Sequence, residues 1–250
     1  MLFIAAACFP CARPARAQAG ANRAGAASLD RDGVAFFRQK DYAQALAKFR
    51  QAAAQGDAAA QNDLGFMYEH GKGVSQDYGQ ALDWYQKAAA QNYARAENNL
   101  GWIYEYGDGV GLDYDEALQW YRKAAAQNYA DAENNLGWMY EHGQGVKKDR
   151  RRAVAWYRKA AAQGDAAAEN NLGWMYEHGS GVHRDYTRAF AWFRKAAAQG
   201  YAHAQNSLGW VYEHGKGVGK DYGRALAWYR KAAAQGDAGA MRNLAALERH

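Results

Sequence analysis

Three side chains with a capacity for binding recur every 36 residues along much of the chain. An asparagine, an aromatic residue and a glutamate stand at positions i, i+4 and i+7, as Asn98, Trp102 and Glu105 do. An asparagine amide can donate to and accept from a peptide backbone, and an indole ring beside it offers apolar contact and stacking. Aromatic rings are also frequent anchors of protein interfaces. The pattern therefore predicts a strip that binds extended polypeptide segments.

The candidate partner-binding residues are the copies of this triplet in successive repeats. They are Asn62, Asn98, Asn134, Asn170, Asn206, Trp102, Trp138, Trp174, Trp210, Glu105, Glu141 and Glu177. One alternative remains open, in which the tryptophans pack between neighbouring helices and the asparagines hydrogen-bond across the repeat interface. Asn99 and its equivalents, one position further along the chain, are predicted to be structural.

A row of histidines recurs with the same spacing and raises the question of a metal site. They are His70, His142, His178 and His214. Packed helices lie about 8–10 Å apart, whereas a zinc–nitrogen bond is about 2 Å long. Equivalent histidines in successive repeats are therefore too far apart to share an ion. We interpret each as a residue favoured at the C-terminal end of a helix dipole, and we predict neither a metal nor another cofactor.

Catalytic groups are not evident in the sequence. It contains no nucleophile–base pair with a recognisable spacing, and no serine is followed three residues later by lysine. The chain is therefore predicted not to be an enzyme. The alternative is a secreted repeat protein that acts on cell-wall material or binds β-lactams. In that case the stacked glutamates would need unequal environments to divide the roles of acid and base.

The elements that position these residues belong to an internal repeat, which is the first feature to seek in any sequence. Five units of 36 residues follow one another without gaps: 56–91, 92–127, 128–163, 164–199 and 200–235. A shorter unit at 28–55 precedes them, and a C-terminal capping helix is predicted at 236–250.

Each unit is predicted to form two helices. In the second unit, the first helix should run from about Ala94 to Tyr106, with Ala96, Leu100 and Ile103 on its buried face. A glycine in the middle of a helix costs about 1 kcal/mol, so a recurrent one indicates close approach of a neighbouring helix. That glycine is Gly65, Gly101, Gly137, Gly173 or Gly209, according to the repeat.

The boundaries between the two helices carry recognisable signals. Gly107 should close the first helix in the left-handed conformation. Asp113 should cap the second helix by accepting hydrogen bonds from free backbone amides. That helix is predicted from about Tyr114 to Gln127, where Asn128 takes the place of a terminating glycine.

The repeat resembles a known family. The runs Asn-Leu-Gly-Trp-Ile-Tyr at 99–104, Gly-x-Gly-Val at 107–110 and Ala-Leu-x-Trp-Tyr-x-Lys-Ala-Ala at 117–125 are similar to the Sel1-like repeat, a relative of the tetratricopeptide repeat. The first unit, 28–55, resembles a plain tetratricopeptide repeat. The resemblance implies an all-α, right-handed superhelical solenoid of antiparallel helix pairs (an α/α repeat). It also implies a scaffold or adaptor that binds proteins or peptides through the concave face.

The charge of the chain favours this class of partner. Thirty-one basic and 26 acidic residues give a net charge of +5, and some of the basic residues lie in the N-terminal segment. Nucleic-acid binding depends on a concentrated basic surface, so no nucleic-acid partner is predicted. RNA binding through one residue set per repeat is a third interpretation, which the near-neutral body disfavours.

The N-terminal segment is predicted to direct export. Residues 1–19 resemble a signal peptide, since an apolar run at 2–9 precedes a small-residue cleavage pattern at 17–19. The segment departs from the usual pattern because no Lys or Arg precedes the apolar run. Both cysteines fall within it, and residues 20–27 would form a short linker. We therefore expect a periplasmic or secreted protein, monomeric and without a membrane span.

Overall fold

The computed structural model describes the backbone of residues 15–249, and the side chains from residue 24 onward. Within these residues thirteen α-helices follow one another and no strand is present. They are α1 (Ala15–Arg38), α2 (Tyr42–Ala54), α3 (Ala58–Glu69), α4 (Tyr78–Ala89), α5 (Ala94–Tyr106), α6 (Tyr114–Ala126), α7 (Ala130–His142), α8 (Arg150–Ala162), α9 (Ala166–His178), α10 (Tyr186–Ala198), α11 (Ala202–His214), α12 (Tyr222–Ala234) and α13 (Ala238–Leu247). The predicted all-α repeat of helix pairs is thus confirmed.

Parts of the predicted N-terminal segment lie outside this description. Residues 1–14, which include both cysteines and most of the proposed leader, are not among the described residues. The residues predicted as a linker, 20–27, lie within α1. Among the described helices, none combines the length and the apolar composition required to cross a bilayer.

The chain divides into two compact modules. We call them the N-terminal module, up to Ala96, and the C-terminal module, from Glu97 onward. In the N-terminal module α1 packs on α2, α2 on α3 and α3 on α4. In the C-terminal module each helix from α6 to α12 packs on the helix that follows it. Helix pairs therefore stack in chain order within each module.

The predicted helix boundaries depend on local signals that the structure confirms. The carboxylate of Asp113 accepts hydrogen bonds from the backbone amides of Asp115 and Glu116 at the start of α6. Gly107 has a φ angle of 74° and Asn128 one of 60°, both in the left-handed region. The second helix begins at the predicted residue, and Gln127 is its C-cap. Equivalent aspartates cap the other second helices: Asp77, Asp149, Asp185 and Asp221.

The glycine in each first helix is required by packing, as predicted. A Cβ atom added to Gly101 would lie 2.6 Å from the ring of Tyr121, well inside any ordinary contact. The Tyr157 ring lies equally close to Gly137. The second helix of each repeat therefore places an aromatic ring directly on the backbone of the first helix. This contact fixes the first helix, which carries the candidate binding residues.

Candidate functional site

The tryptophans of the first helices remain accessible to solvent. Trp174 exposes 43% of its surface and Trp102 exposes 38%, while Trp138 and Trp210 are partly buried. A cleft in the C-terminal module is lined by Trp138 and Trp174 from two successive repeats. The rings are therefore not enclosed between helices. We call the set of Trp102, Trp138, Trp174 and Trp210 the aromatic strip.

Each ring of the aromatic strip contacts the ring of the residue one helical turn later, and two of the four pairs are stacked. Trp174 and His178 have ring centroids 4.2 Å apart with an interplanar angle of 25°, and Trp210 and His214 stack at 4.4 Å and 21°. The Nδ1 atom of His178 also lies 3.0 Å from the carbonyl oxygen of Trp174. A histidine that donates this hydrogen bond gives a second donor to a carbonyl in the last turn of the helix. The histidines thus lie at the ends of the first helices and support the indoles from one side.

The histidines do not converge on a common point. Among the described residues, no group of three or more His, Cys, Asp or Glu side chains is arranged to hold a metal ion.

The asparagines of the predicted strip make hydrogen bonds to the next repeat. The Nδ2 atom of Asn135 donates to Oδ1 of Asn98 over 3.0 Å, and Asn171 donates to Asn134 over 2.9 Å. Asn206 accepts in the same way from Asn243, in the C-terminal helix. For these residues the alternative interpretation, a bond across the repeat interface, describes the geometry. Their role in binding a partner remains a prediction.

The asparagine of the N-terminal module lies beside a carboxylate. Asn62 is fully buried, and its Nδ2 atom donates to Oδ1 of Asp63 over 3.0 Å. The Asp63 carboxylate also lies 3.5 Å from the guanidinium of Arg95. Burial raises the pKa of Asp63, and the nearby Arg95 and the bond from Asn62 oppose that rise.

The glutamates of the strip accept hydrogen bonds from the packing tyrosines. The hydroxyl of Tyr121 donates to Glu105 over 2.6 Å, and that of Tyr157 donates to Glu141 over 2.8 Å. Burial raises the pKa of Glu105, and the bond from Tyr121 opposes the rise. The same pairing joins Tyr85 to Glu69 and Tyr229 to Glu213. Each tyrosine therefore packs on a glycine, and its hydroxyl offsets part of the free-energy cost of burying the carboxylate.

Sequence reasoning missed this tyrosine–glutamate pair. It placed Glu105 on the open strip and did not pair it with Tyr121. The signal was nevertheless present, because a tyrosine follows the glutamate by 16 residues in four of the five repeats.

One repeat departs from both hydrogen-bond patterns. In the repeat 164–199 Phe193 stands where the others have tyrosine, and its ring packs on Gly173 in the same way. Glu177 therefore has no phenol donor. In the following repeat Ser207 replaces the asparagine donor, and its hydroxyl lies 3.5 Å from Oδ1 of Asn170. The residues that lose a full hydrogen-bond partner, Asn170 and Glu177, both lie on α9.

A family model decides the relationship of the chain to known proteins. The Sel1 repeat model matches residues 31–57, 58–93, 94–129, 130–165, 166–201 and 202–237. The chain belongs to the Sel1 repeat family. The first match includes most of the unit that resembles a tetratricopeptide repeat, so the family relationship extends over six consecutive repeats. Sel1 repeat proteins generally mediate protein–protein interaction, and their fold is typically a scaffold without enzymatic activity.

Solved structures of Sel1 repeat proteins resemble the chain closely. A Sel1 repeat protein from Oxalobacter formigenes is 39% identical, with a TM-score of 0.76 over 86% of each chain. A protective antigen of uropathogenic Escherichia coli strains is 37% identical, with a TM-score of 0.73 over 91% of this chain and 50% of the antigen. A search of curated protein sequences finds no match.

A more distant solved structure shares the fold alone. It is an immunity protein from Pseudomonas aeruginosa that is 22% identical, with a TM-score of 0.58 over 90% of this chain and 84% of the immunity protein.

Proposed function

We propose that this Sel1 repeat protein is a non-catalytic scaffold that binds protein or peptide segments along the aromatic strip. The main support for the proposal is that the rings of Trp174 and its equivalents are accessible to solvent and are each supported by a neighbouring ring. A ring that is partly exposed on one side and stacked on a neighbour on the other loses little conformational freedom on binding. Rigid aromatic side chains of this kind contribute disproportionately to the affinity of protein interfaces.

The strip offers hydrogen-bonding groups beside the rings. The Asn134 amide lies one turn before Trp138, and the Glu141 carboxylate lies three residues after that ring. Because the oxygen of Asn134 already accepts from the next repeat, its Nδ2 donor is the group available to a ligand carbonyl. Recognition would then depend mainly on the indoles, with the amides fixing the register of the bound segment.

The bacterial cell envelope is the proposed location, either the periplasm or the exterior. Support comes from the signal-like residues 1–19 and from the similarity to a protein described as a protective antigen, a description that fits an exported chain. Fractionation of cells that express the full chain with a C-terminal tag, followed by mass spectrometry of the N-terminus, tests this. Full-length tagged protein confined to the cytoplasm would contradict the proposed location.

The binding proposal is tested with a peptide display library selected on the purified protein. The double variant Trp138→Ala and Trp174→Ala should lose enrichment of the selected peptides by about tenfold or more, as expected for removed interface anchors. Circular dichroism should show the same helix content. Unchanged enrichment by the folded variant would exclude the aromatic strip as the binding surface.

A matched control uses an exposed aromatic residue on a second helix. Tyr222, at the start of α12, exposes 49% of its surface. Its replacement by alanine removes a similar amount of exposed aromatic area without altering the strip. Enrichment should therefore be retained by this variant, and its loss would indicate non-specific attachment to exposed rings.

A further inference from the structure

We propose that Asn170, Trp174 and Glu177 on α9 form a subsite for the basic side chain of a bound peptide. This inference rests on the proposed function, because it assigns a charge preference to one place along the aromatic strip. Three independent features coincide there: a carboxylate without a phenol donor, an amide oxygen with a weakened partner, and the most exposed ring of the strip.

The carboxylate of Glu177 is the first feature. In four repeats a tyrosine hydroxyl donates to the equivalent glutamate over 2.5–2.8 Å. Phe193 supplies the same ring without the hydroxyl, and only 13% of the Glu177 side chain is exposed. A mostly buried carboxylate that lacks a hydrogen-bond donor is costly. A ligand ammonium or guanidinium would remove that cost.

The cations around Glu177 do not replace the missing donor. Within the described residues, the ion-pair partner recorded for Glu177 is His178, with 3.9 Å between Nδ1 and the carboxylate. That separation is too long for a hydrogen bond, and the same nitrogen lies 3.0 Å from the Trp174 carbonyl. Lys216 holds its ammonium 5.1 Å from the ring centroid of Tyr186. Burial raises the pKa of Glu177, against the opposing effects of His178, His214 and Lys216.

The amide of Asn170 is the second feature. Its oxygen lies 3.5 Å from the Ser207 hydroxyl, whereas the equivalent oxygens accept from asparagine over 2.9–3.0 Å. The longer separation marks a weak bond. The oxygen of Asn170 can therefore accept from a backbone amide of the ligand, beside the carboxylate that takes its side chain.

The ring of Trp174 lies between these two groups in sequence, four residues after Asn170 and three before Glu177. An indole face attracts a cation, and a nearby carboxylate strengthens that attraction. Trp174 is also the most exposed ring of the aromatic strip. The three groups thus present an aromatic face, an acceptor for a backbone amide and a negative charge on one side of one helix.

The distribution of charge between the helices favours the same ligand. The first helices α7, α9 and α11 contain acidic residues and neither lysine nor arginine. The second helices α8, α10 and α12 contain lysine and arginine and no acidic residue. Among these helices, a basic peptide meets complementary charge only along the first helices, which carry the aromatic strip.

The test uses two short acetylated and amidated Gly-Ser peptides that differ only in a central lysine or norleucine. Binding is followed through the indole N–H signal of Trp174 in an NMR titration. The lysine peptide should bind about tenfold more tightly than the norleucine peptide, as expected for a charge-assisted contact. The variant Phe193→Tyr, which restores the phenol donor, should abolish that difference, and Glu177→Gln should do the same.

The variant Tyr157→Phe is the matched control, since it makes the reverse change at the equivalent position of the preceding repeat and leaves Glu177 untouched. It should retain the preference for lysine at Trp174. Equal affinity of the two peptides for the unaltered protein, or an unchanged preference in Phe193→Tyr, would overturn the subsite. Neither result would affect the loss of peptide enrichment expected from the tryptophan variants, so the two proposals fail separately.

Discussion

The hydroxyl of Tyr121 donates a 2.6 Å hydrogen bond to the carboxylate of Glu105, and both residues are buried. The same tyrosine ring lies against Gly101, so one side chain packs on the first helix and satisfies its buried charge. Burial and the adjacent carboxylate together raise the pKa of Tyr121 far above its ordinary value. The phenol therefore stays protonated and acts as a permanent donor.

Removal of this donor should destabilise the protein. Tyr121→Phe is expected to lower the free energy of unfolding by about 1–3 kcal/mol, because it leaves the buried carboxylate of Glu105 without its partner. The reverse change in the repeat 164–199, Phe193→Tyr, is expected to raise the free energy of unfolding. Urea denaturation followed by circular dichroism measures both. Shifts of the same sign in the two variants would contradict this role of the phenol.

Alanine in place of the mid-helix glycine should also destabilise the protein. Alanine normally stabilises a helix by about 1 kcal/mol relative to glycine. At Gly137, however, the new Cβ atom would lie 2.6 Å from the Tyr157 ring, and overpacking of this kind costs about 1–3 kcal/mol. Gly137→Ala should therefore lower the thermal unfolding temperature.

A second glycine provides the control for that substitution. Gly223 is in α12, where an added Cβ atom would meet Oδ1 of Asp221 at an ordinary distance of 3.5 Å. Gly223→Ala should raise the unfolding temperature because only the helix propensity changes. If Gly137→Ala were stabilising as well, the ring contact would not be what requires glycine.

The N-terminal module should respond to the protonation of Asp30. Burial, with the negative charges of Asp63 and Asp57, raises the pKa of Asp30 to about 6, and its Oδ1 atom is buried without a hydrogen-bond partner among the described residues. The folded state binds this proton more tightly than the unfolded state. The stability gained from protonation of Asp30 is therefore fully present at pH values below the ordinary carboxyl pKa. It is lost as the pH rises through about 6.

The variant Asp30→Asn tests this dependence. It should be more stable than the unaltered protein at pH about 7, since the cost of a buried charge is removed. The difference in stability between Asp30→Asn and the unaltered protein should become smaller as the pH falls from about 7 towards 4, through the raised pKa of Asp30. Denaturation midpoints of both proteins, measured across that pH range, test this expectation. A difference between the midpoints that does not change with pH would exclude Asp30 as the titrating group.

The bond between successive asparagines should contribute to repeat stacking. In Asn171→Ser a shorter side chain replaces the one that donates to Asn134, which is the arrangement that Ser207 and Asn170 have naturally. The substitution should lower the free energy of unfolding by about 0.5–1.5 kcal/mol. Ser207→Asn should give a comparable gain by restoring the shorter bond. Hydrogen exchange of the amides in α7 and α9 reports on local opening. Unchanged protection in both variants would show that this bond contributes little to stacking.

The sequence determined the helices because their boundaries depend on local chemistry. Asp113 can cap only the amides that follow it within a turn, and Gly107 can adopt the left-handed conformation because it has no Cβ atom. The predicted first helix of the repeat 92–127 accordingly has the observed bounds, Ala94–Tyr106. The recurrence of Gly101 likewise predicted a close contact, although it did not identify the Tyr121 ring as the group in contact.

Tertiary structure decided which polar side chains face each other. Glu105 and Tyr121 are 16 residues apart and Asn98 and Asn135 are 37 apart, so their pairing depends on how helices pack and not on any helical period. For the same reason the sequence placed Asn98 and Glu105 together on an open strip, whereas packing buries both and leaves the indole of Trp102 exposed. The periodicity of a sequence identifies the face of a helix, but only the distance to the next helix determines which side chains on that face already have a partner.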